Sequence, residues 1–190
     1  MNTSNIILLA RHTTPDIDLK ICYGQSDVGV KQSFETEAKT LSNKLKNFNI
    51  TEIYSSPLKR CVLLAESIQQ QYNSLIKVDH RLKEMNFGEW ELQNWDDISK
   101  DDINTWAKDP FGFRPPKGES FDDLIARSSD FYNDKTPQST QLIVTHAGII
   151  RAYLVLLLDM DPHEALKFEL PFACLCKIDT KEKTIQLIEQ

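Results

Sequence analysis

Apolar residues along this chain fall into two spacings that alternate from one end to the other. Residues 5–10 and 140–145 are short runs rich in Ile, Leu and Val, with no clear polar alternation. Such runs suit strands covered on both faces. Residues 51–55 and 75–79 predict two further strands, and residues 173–179 and 184–188 predict a terminal hairpin around Lys181-Glu182-Lys183. Elsewhere the spacing lengthens to three and four. Phe34, Ala38, Leu41, Leu45 and Phe48 share one helical face. Ser56-Pro57 reads as N-cap and first residue of a helix through Cys61, Leu64, Ala65 and Ile68. Ser120 and Asp123 have capping-box spacing and open a helix to about Tyr132. Gly148 precedes a helix with Ile149, Ile150, Tyr153, Leu156 and Leu157. Alternation of strand and helix predicts an α/β sandwich.

The stretch from about 86 to 118 breaks this rhythm. It holds Trp90, Trp95 and Trp106, many acids, and the bent run Phe111-Gly112-Phe113-Arg114-Pro115-Pro116-Lys117-Gly118. It reads as a helical insertion: either a cap over a site or a surface excursion with its own small core. The tryptophans could line a pocket for an aromatic group, but core of the insertion is the preferred reading. With 190 residues, residues 1–190 are expected to form one domain carrying this insertion.

Composition narrows the function. Net charge is −6 and no stretch concentrates Lys and Arg, which argues against nucleic acid as a partner. No run approaches the roughly 18 apolar residues of a membrane span, and the N-terminus lacks secretory-signal features. Cys22, Cys61, Cys174 and Cys176 make no C-x-x-C pair and no zinc spacing. They read as reduced packing residues of a cytoplasmic protein. Neither metal nor cofactor is expected, and no pattern specifies an oligomer.

Four separated segments place chemistry-bearing residues at a strand end or helix start. They are Arg11-His12-Thr13, Ser55-Ser56-Pro57 through Arg60, Glu84 in Leu82-Lys83-Glu84-Met85-Asn86-Phe87-Gly88-Glu89-Trp90-Glu91, and Thr145-His146-Ala147-Gly148. Ligands of open α/β sheets bind beyond the carboxyl ends of the strands, where helix N-termini offer free N–H groups. Phosphoryl transfer needs little beyond positioning and charge stabilisation. Two arginines can hold the phosphoryl oxygens, a neutral imidazole can attack phosphorus, and a carboxylic acid can protonate the leaving oxygen. The expected partner is a small-molecule phosphate ester. His80 and His163 read as solvated, and Arg151 as a structural ion-pair partner.

In these segments the chain resembles the histidine phosphatase superfamily, whose signature is Arg-His-Gly after the first strand. It is most similar to the α-ribazole phosphatases of cobalamin biosynthesis, through Arg-His-Thr and the loop Cys22-Tyr23-Gly24-Gln25-Ser26-Asp27. The resemblance implies a three-layer α/β/α sandwich with a mostly parallel sheet, as in phosphoglycerate mutase, and metal-independent phosphomonoesterase activity. It implies His12 as phosphate acceptor, Arg11, Arg60 and His146 as the rest of the phosphate pocket, and Glu84 as proton donor. Thr13, Gly24, Gln25, Ala147, Glu119 and Ser120 would lie near the substrate. Thr13 and Ala147 depart from the family's usual glycines, and Asp18 stands where the family often has Asn. A broad-specificity phosphatase, a phosphoglycerate mutase and a non-catalytic phosphate-binding protein remain open. The mutase is disfavoured because the chain ends at Gln190, soon after the last hairpin. A His-based metal site is disfavoured because no H-x-H or H-E-x-x-H spacing occurs.

Overall fold

A computed structural model describes residues 5–72, 74–134 and 140–189. Its centre is a six-stranded sheet in the order β3-β2-β4-β1-β5-β6. The strands are β1 (Ile6–Arg11), β2 (Ile50–Ser55), β3 (Ile76–Val78), β4 (Thr140–Thr145), β5 (Leu175–Asp179) and β6 (Thr184–Leu187). β3, β2, β4 and β1 run parallel, while β5 is antiparallel to both β1 and β6. The apolar runs expected at residues 5–10 and 140–145 are the two central neighbours, paired with Leu8 opposite Leu142 and Leu9 opposite Ile143. The late hairpin is β5 and β6.

Helices cover both faces, as the alternation predicted. α1 (Phe34–Leu45) and α2 (Lys59–Gln69) pack Leu41, Leu45, Leu64 and Ile68 against Leu8, Ile53 and Leu142. On the opposite face α4 (Phe121–Asp134) and α5 (Ala147–Leu158) pack Phe131, Ile150 and Tyr153 against Ile7, Leu9 and Ile143. Strand alternation divides the two cores: odd residues of β1 face one, even residues the other. α6 (Pro162–Lys167) follows, with Asp161 accepting N–H bonds from His163 and Glu164.

Two helix starts test the capping signals. Ser120 and Asp123 do exchange bonds: the Asp123 N–H donates to Ser120 Oγ at 3.2 Å, and the Ser120 N–H donates to Asp123 Oδ2 at 2.8 Å. The start predicted at Ser56-Pro57 is corrected, because α2 begins at Lys59 with Leu58 as N-cap. Ser56 Oγ accepts from the Leu58 N–H and also lies 2.8 Å from His146 Nε2. The Lys59 N–H is capped instead by Asp27, a carboxylate 32 residues away.

The stretch predicted as an insertion holds α3 (Lys100–Lys108) and a 3-10 turn at Gly88–Trp90. Cys22, Trp90 and Ile98 form a satellite core with Phe87, Trp95, Ile103, Trp106 and Phe113. Trp95 and Trp106 stack at 6.0 Å with 8° between planes. Core packing is thus the main duty of the tryptophans. All four cysteines are free and buried. No helix among the described residues is long and apolar enough to cross a membrane.

Leu8 is fully buried in the most central strand pair. Leu8→Ala is expected to lower the unfolding free energy by about 2–5 kcal/mol, the cost of a core cavity. Urea unfolding measures it.

Candidate active site

Three neighbouring parallel strands deliver functional side chains at their carboxyl ends. β1 leads into His12 and Thr13, β4 into His146, and β2 into Ser56. Sheet-like bonding continues past the strands: the His12 N–H donates to Thr145 O and the Ser56 N–H to Val144 O, each at 3.0 Å. His12 and His146 are therefore buried, at 1% and 0% exposure, although they lie at a strand edge.

His12 Nδ1 lies 2.7 Å from the Thr13 carbonyl oxygen. A carbonyl only accepts, so Nδ1 carries the hydrogen and Nε2 keeps its lone pair. Burial, and then the charge of Arg60, hold its pKa down to about 3. Burial, followed by the charges of Arg60 and His12, also holds His146 well below the usual histidine range. The two rings meet edge to face, with centroids 5.1 Å apart.

Both arginines are held by uncharged groups. Arg60, fully buried in the first turn of α2, donates to Gly24 O at 2.7 Å and Ser26 O at 3.0 Å. Two acids on either side of it in sequence are not its partners: Glu52 pairs with Lys77 at 2.5 Å, and Glu66 is exposed and not paired with it. Arg11 donates to Leu170 O, and its guanidinium lies 3.9 Å over the Phe172 ring. Among the described residues neither arginine forms an ion pair. The Nε atoms of Arg11 and Arg60 and the Thr13 hydroxyl are buried with no hydrogen-bond partner in the protein. Buried donors and uncompensated positive charge are costly unless a ligand answers them. A dianionic group with several oxygens suits this arrangement.

Glu84 reaches the same edge from the loop after β3. Its Oε1 accepts from the Met85 N–H at 2.9 Å and the Gly148 N–H at 3.1 Å. Gly148 is the second residue of α5, so the carboxylate sits at a helix N-terminus. A Cβ on residue 148 would collide with Glu84 Oε1; here glycine makes room for the carboxylate. Ala147 opens α5 and is nearly buried.

The other expected residues are nearby but occupied. Gln25 Nε2 donates to Glu84 O at 3.0 Å, and Gly24 supplies its carbonyl to Arg60. Glu119 pairs with Arg127 at 2.7 Å and accepts the Asn86 N–H at 2.8 Å. Ser120 is buried in its capping box. Asp18 is exposed and accepts the Lys20 N–H. His80 and His163 are exposed.

Arg151 departs from the predicted ion-pair role. Among the described residues it pairs with no carboxylate; Nη2 donates to Phe168 O at 3.2 Å. It lines a cavity of about 440 Å³ beside Glu84 and Gly148, with Phe87, Trp106 and Phe121 on the walls. Sequence reasoning also passed over Ser56 and Cys61, which contact His146, and Phe172, which underlies Arg11. Ser56 lay inside a segment already singled out. Phe172 carried no signal, because a lone aromatic after proline has no pattern.

A model of the histidine phosphatase superfamily, branch 1, matches residues 7–190. The chain is 30% identical over 157 residues to a phosphoserine phosphatase 2 candidate of Hydrogenobacter thermophilus, covering 80% of this chain and 77% of that protein. It is 25% identical over 181 residues to 6-phosphofructo-2-kinase/fructose-2,6-bisphosphatase of Gallus gallus, covering 93% of this chain and only 37% of that longer protein. Its fold matches that of a candidate α-ribazole-5′-P phosphatase from Escherichia coli, with TM-score 0.85 at 22% identity, covering 98% of this chain and 95% of the other.

The lowered histidine pKa makes stability depend on pH. The unfolded chain takes up a proton at His12 below about 6.5, whereas the folded chain does so only near 3. Stability contributed by neutral His12 is thus full above pH 6.5 and is lost as pH falls toward 3, at up to about 1.4 kcal/mol per pH unit. In urea unfolding from pH 7 to 4.5, His12→Asn is expected to flatten that slope. An unchanged slope would contradict the buried neutral state.

Proposed function

The chain belongs to the histidine phosphatase superfamily and is a phosphoric monoester hydrolase; we propose that it works without a metal, through a phosphohistidine on His12, and that its ester is α-ribazole 5′-phosphate. The observation that carries the mechanism is the His12 ring: Nδ1 is committed to the Thr13 carbonyl, which leaves Nε2 its lone pair, and the ring feels the charge of Arg60 and Arg11, whose Nε atoms have no partner.

In the first half-reaction Nε2 attacks phosphorus in line. The N–P bond forms as the P–O bond to the leaving group breaks. Arg11, Arg60 and His146 hold the phosphoryl oxygens, whose charge is greatest in the transition state. Glu84 gives its proton to the departing oxygen. Oε2 is the oxygen suited to carry that proton, since Oε1 accepts the Met85 N–H at 2.9 Å while Oε2 accepts only the longer Gly148 bond at 3.2 Å, which it shares with Oε1. In the second half-reaction the Glu84 carboxylate takes a proton from water, the water oxygen attacks phosphorus, and the N–P bond breaks. Ester and water become alcohol and inorganic phosphate, and the residues return to their starting states.

Substrate choice rests on the mouth. α-Ribazole 5′-phosphate leaves an alcohol bearing a flat benzimidazole. The cavity beside Glu84 offers apolar and aromatic walls to such a group. On this reading residues 86–118 form a cap within one domain, because they bring Phe87 and Trp106 over Glu84. The Arg-His-Thr and Tyr-Gly-Gln-Ser-Asp motifs point to the same subgroup. Free cysteines accord with a cytoplasmic setting.

Steady-state hydrolysis of α-ribazole 5′-phosphate, phosphoserine, a sugar phosphate and a phosphoglycerate, each with and without chelator, tests the proposal. The expected result is activity untouched by chelator and highest kcat/KM for α-ribazole 5′-phosphate. A flat profile would replace that substrate with broad specificity, and chelator-sensitive turnover would overturn the mechanism. Because His12 stays neutral far below the usual histidine range, kcat/KM should show no acid limb near pH 6.5 from its protonation.

A further inference from the structure

Glu91 takes no part in the chemistry above, yet its carboxylate accepts bonds from two separate parts of the site. Oε1 accepts from the Gln25 N–H at 2.9 Å and the Phe87 N–H at 3.1 Å. Oε2 accepts from the Ser26 N–H at 2.7 Å and the Ser26 hydroxyl at 2.6 Å. Two of the three residues bonded lie in the loop whose Gly24 and Ser26 carbonyls hold Arg60. The third, Phe87, lies in the segment that carries Glu84.

The same junction is visible from Gly24. Its φ is +33°, and an added Cβ would lie 2.5 Å from Glu91 Oε1 and 2.7 Å from the Met85 carbonyl. The glycine lets the two segments close on one carboxylate. Four donors on one carboxylate make a strong, directional junction, since hydrogen bonds to charged groups exceed neutral ones.

We propose that Glu91 is a positioning residue: it fixes the distance between the Arg60 end of the site, which holds phosphate, and Glu84, which must meet the leaving oxygen. This rests on the phosphatase reading above. The two sides differ in what else holds them. Arg60 is anchored by α2 and is fully buried. Residues 84–87 lie outside any helix or strand, and the N–H groups of Met85, Asn86 and Phe87 all donate to side-chain carboxylates. Glu84 O accepts from Arg127, itself braced by Glu119, at 2.9 Å, and from Gln25 Nε2, in the loop that Glu91 holds, at 3.0 Å. Releasing the Glu91 junction therefore frees Glu84 more than Arg60. A misplacement near 1 Å can cost on the order of 100-fold in rate.

This predicts an effect that depends on the leaving group. A nitrophenolate departs without a proton, whereas an alkoxide needs one. The test compares p-nitrophenyl phosphate with an alkyl phosphate, using wild type and Glu91→Gln. The expected result is a fall in kcat for the alkyl ester at least about 10-fold larger than for the nitrophenyl ester. Inhibition by inorganic phosphate should shift less than about 3-fold, since the phosphate end keeps its anchors. Equal losses on both esters, or a large rise in the phosphate inhibition constant, would overturn the proposal. Should Glu91→Gln not fold, Ser26→Ala removes one of the four donors and is expected to show the same bias, about 2–5-fold; no bias would equally overturn it. Wild-type enzyme inactive on both esters would instead refute the phosphatase reading.

Discussion

Two guanidinium groups, Arg60 fully buried and Arg11 half-buried, sit at one sheet edge with no carboxylate partner among the described residues, and much else in the structure answers to that. Arg11 and Arg60 are held by the carbonyls of Leu170, Gly24 and Ser26, and by the Phe172 and Tyr23 rings. An ion pair would have neutralised them and competed with any anionic ligand. Carbonyl dipoles hold the side chains in place while leaving their charge unspent. The cost of that desolvated charge is met elsewhere, by the two cores packed on either face of the sheet. The charge also keeps both histidines neutral, reinforcing what burial alone begins.

The carboxylates near the site are correspondingly kept off the arginines. Glu84 is bonded to backbone N–H groups at the start of α5, Glu119 is paired with Arg127, and Glu91 is saturated by residues 25, 26 and 87. Each acid has its own donors and so does not collapse onto the arginines. Glycines make this possible at two points: Gly148 admits Glu84, and Gly24 admits Glu91. The cavity walled by Phe87, Trp106 and Phe121 lies on the Glu84 side, with neither Arg11 nor Arg60 in its lining.

Much of this was legible in the sequence because it depends on local pattern. The unbroken runs gave the central strands, the Ser120-Asp123 spacing gave a helix start, and Arg11-His12 and His146 were legible as two strand ends, which the structure brings side by side. What escaped depends on partners distant in the chain. Ser56 looked like an N-cap because nothing nearby says that its hydroxyl meets His146, 90 residues later. Glu91 stands only seven residues after Glu84, and nothing local tells the two acids apart, because the donors that occupy Glu91 come from residues 25 and 26. Arg151 looked like an ion-pair partner because helical charges usually are, and the cavity it lines is made by five separate segments.

The central claim is that neutral His12 becomes phosphorylated. The direct measurement is rapid quench of enzyme with an isotopically labelled phosphate ester into alkali, where phosphohistidine survives, followed by peptide mass spectrometry. A phosphoryl group on the peptide bearing His12, formed within the first turnover and absent from His12→Asn, is expected. Full turnover with no label on that peptide, or label retained in His12→Asn, would contradict it.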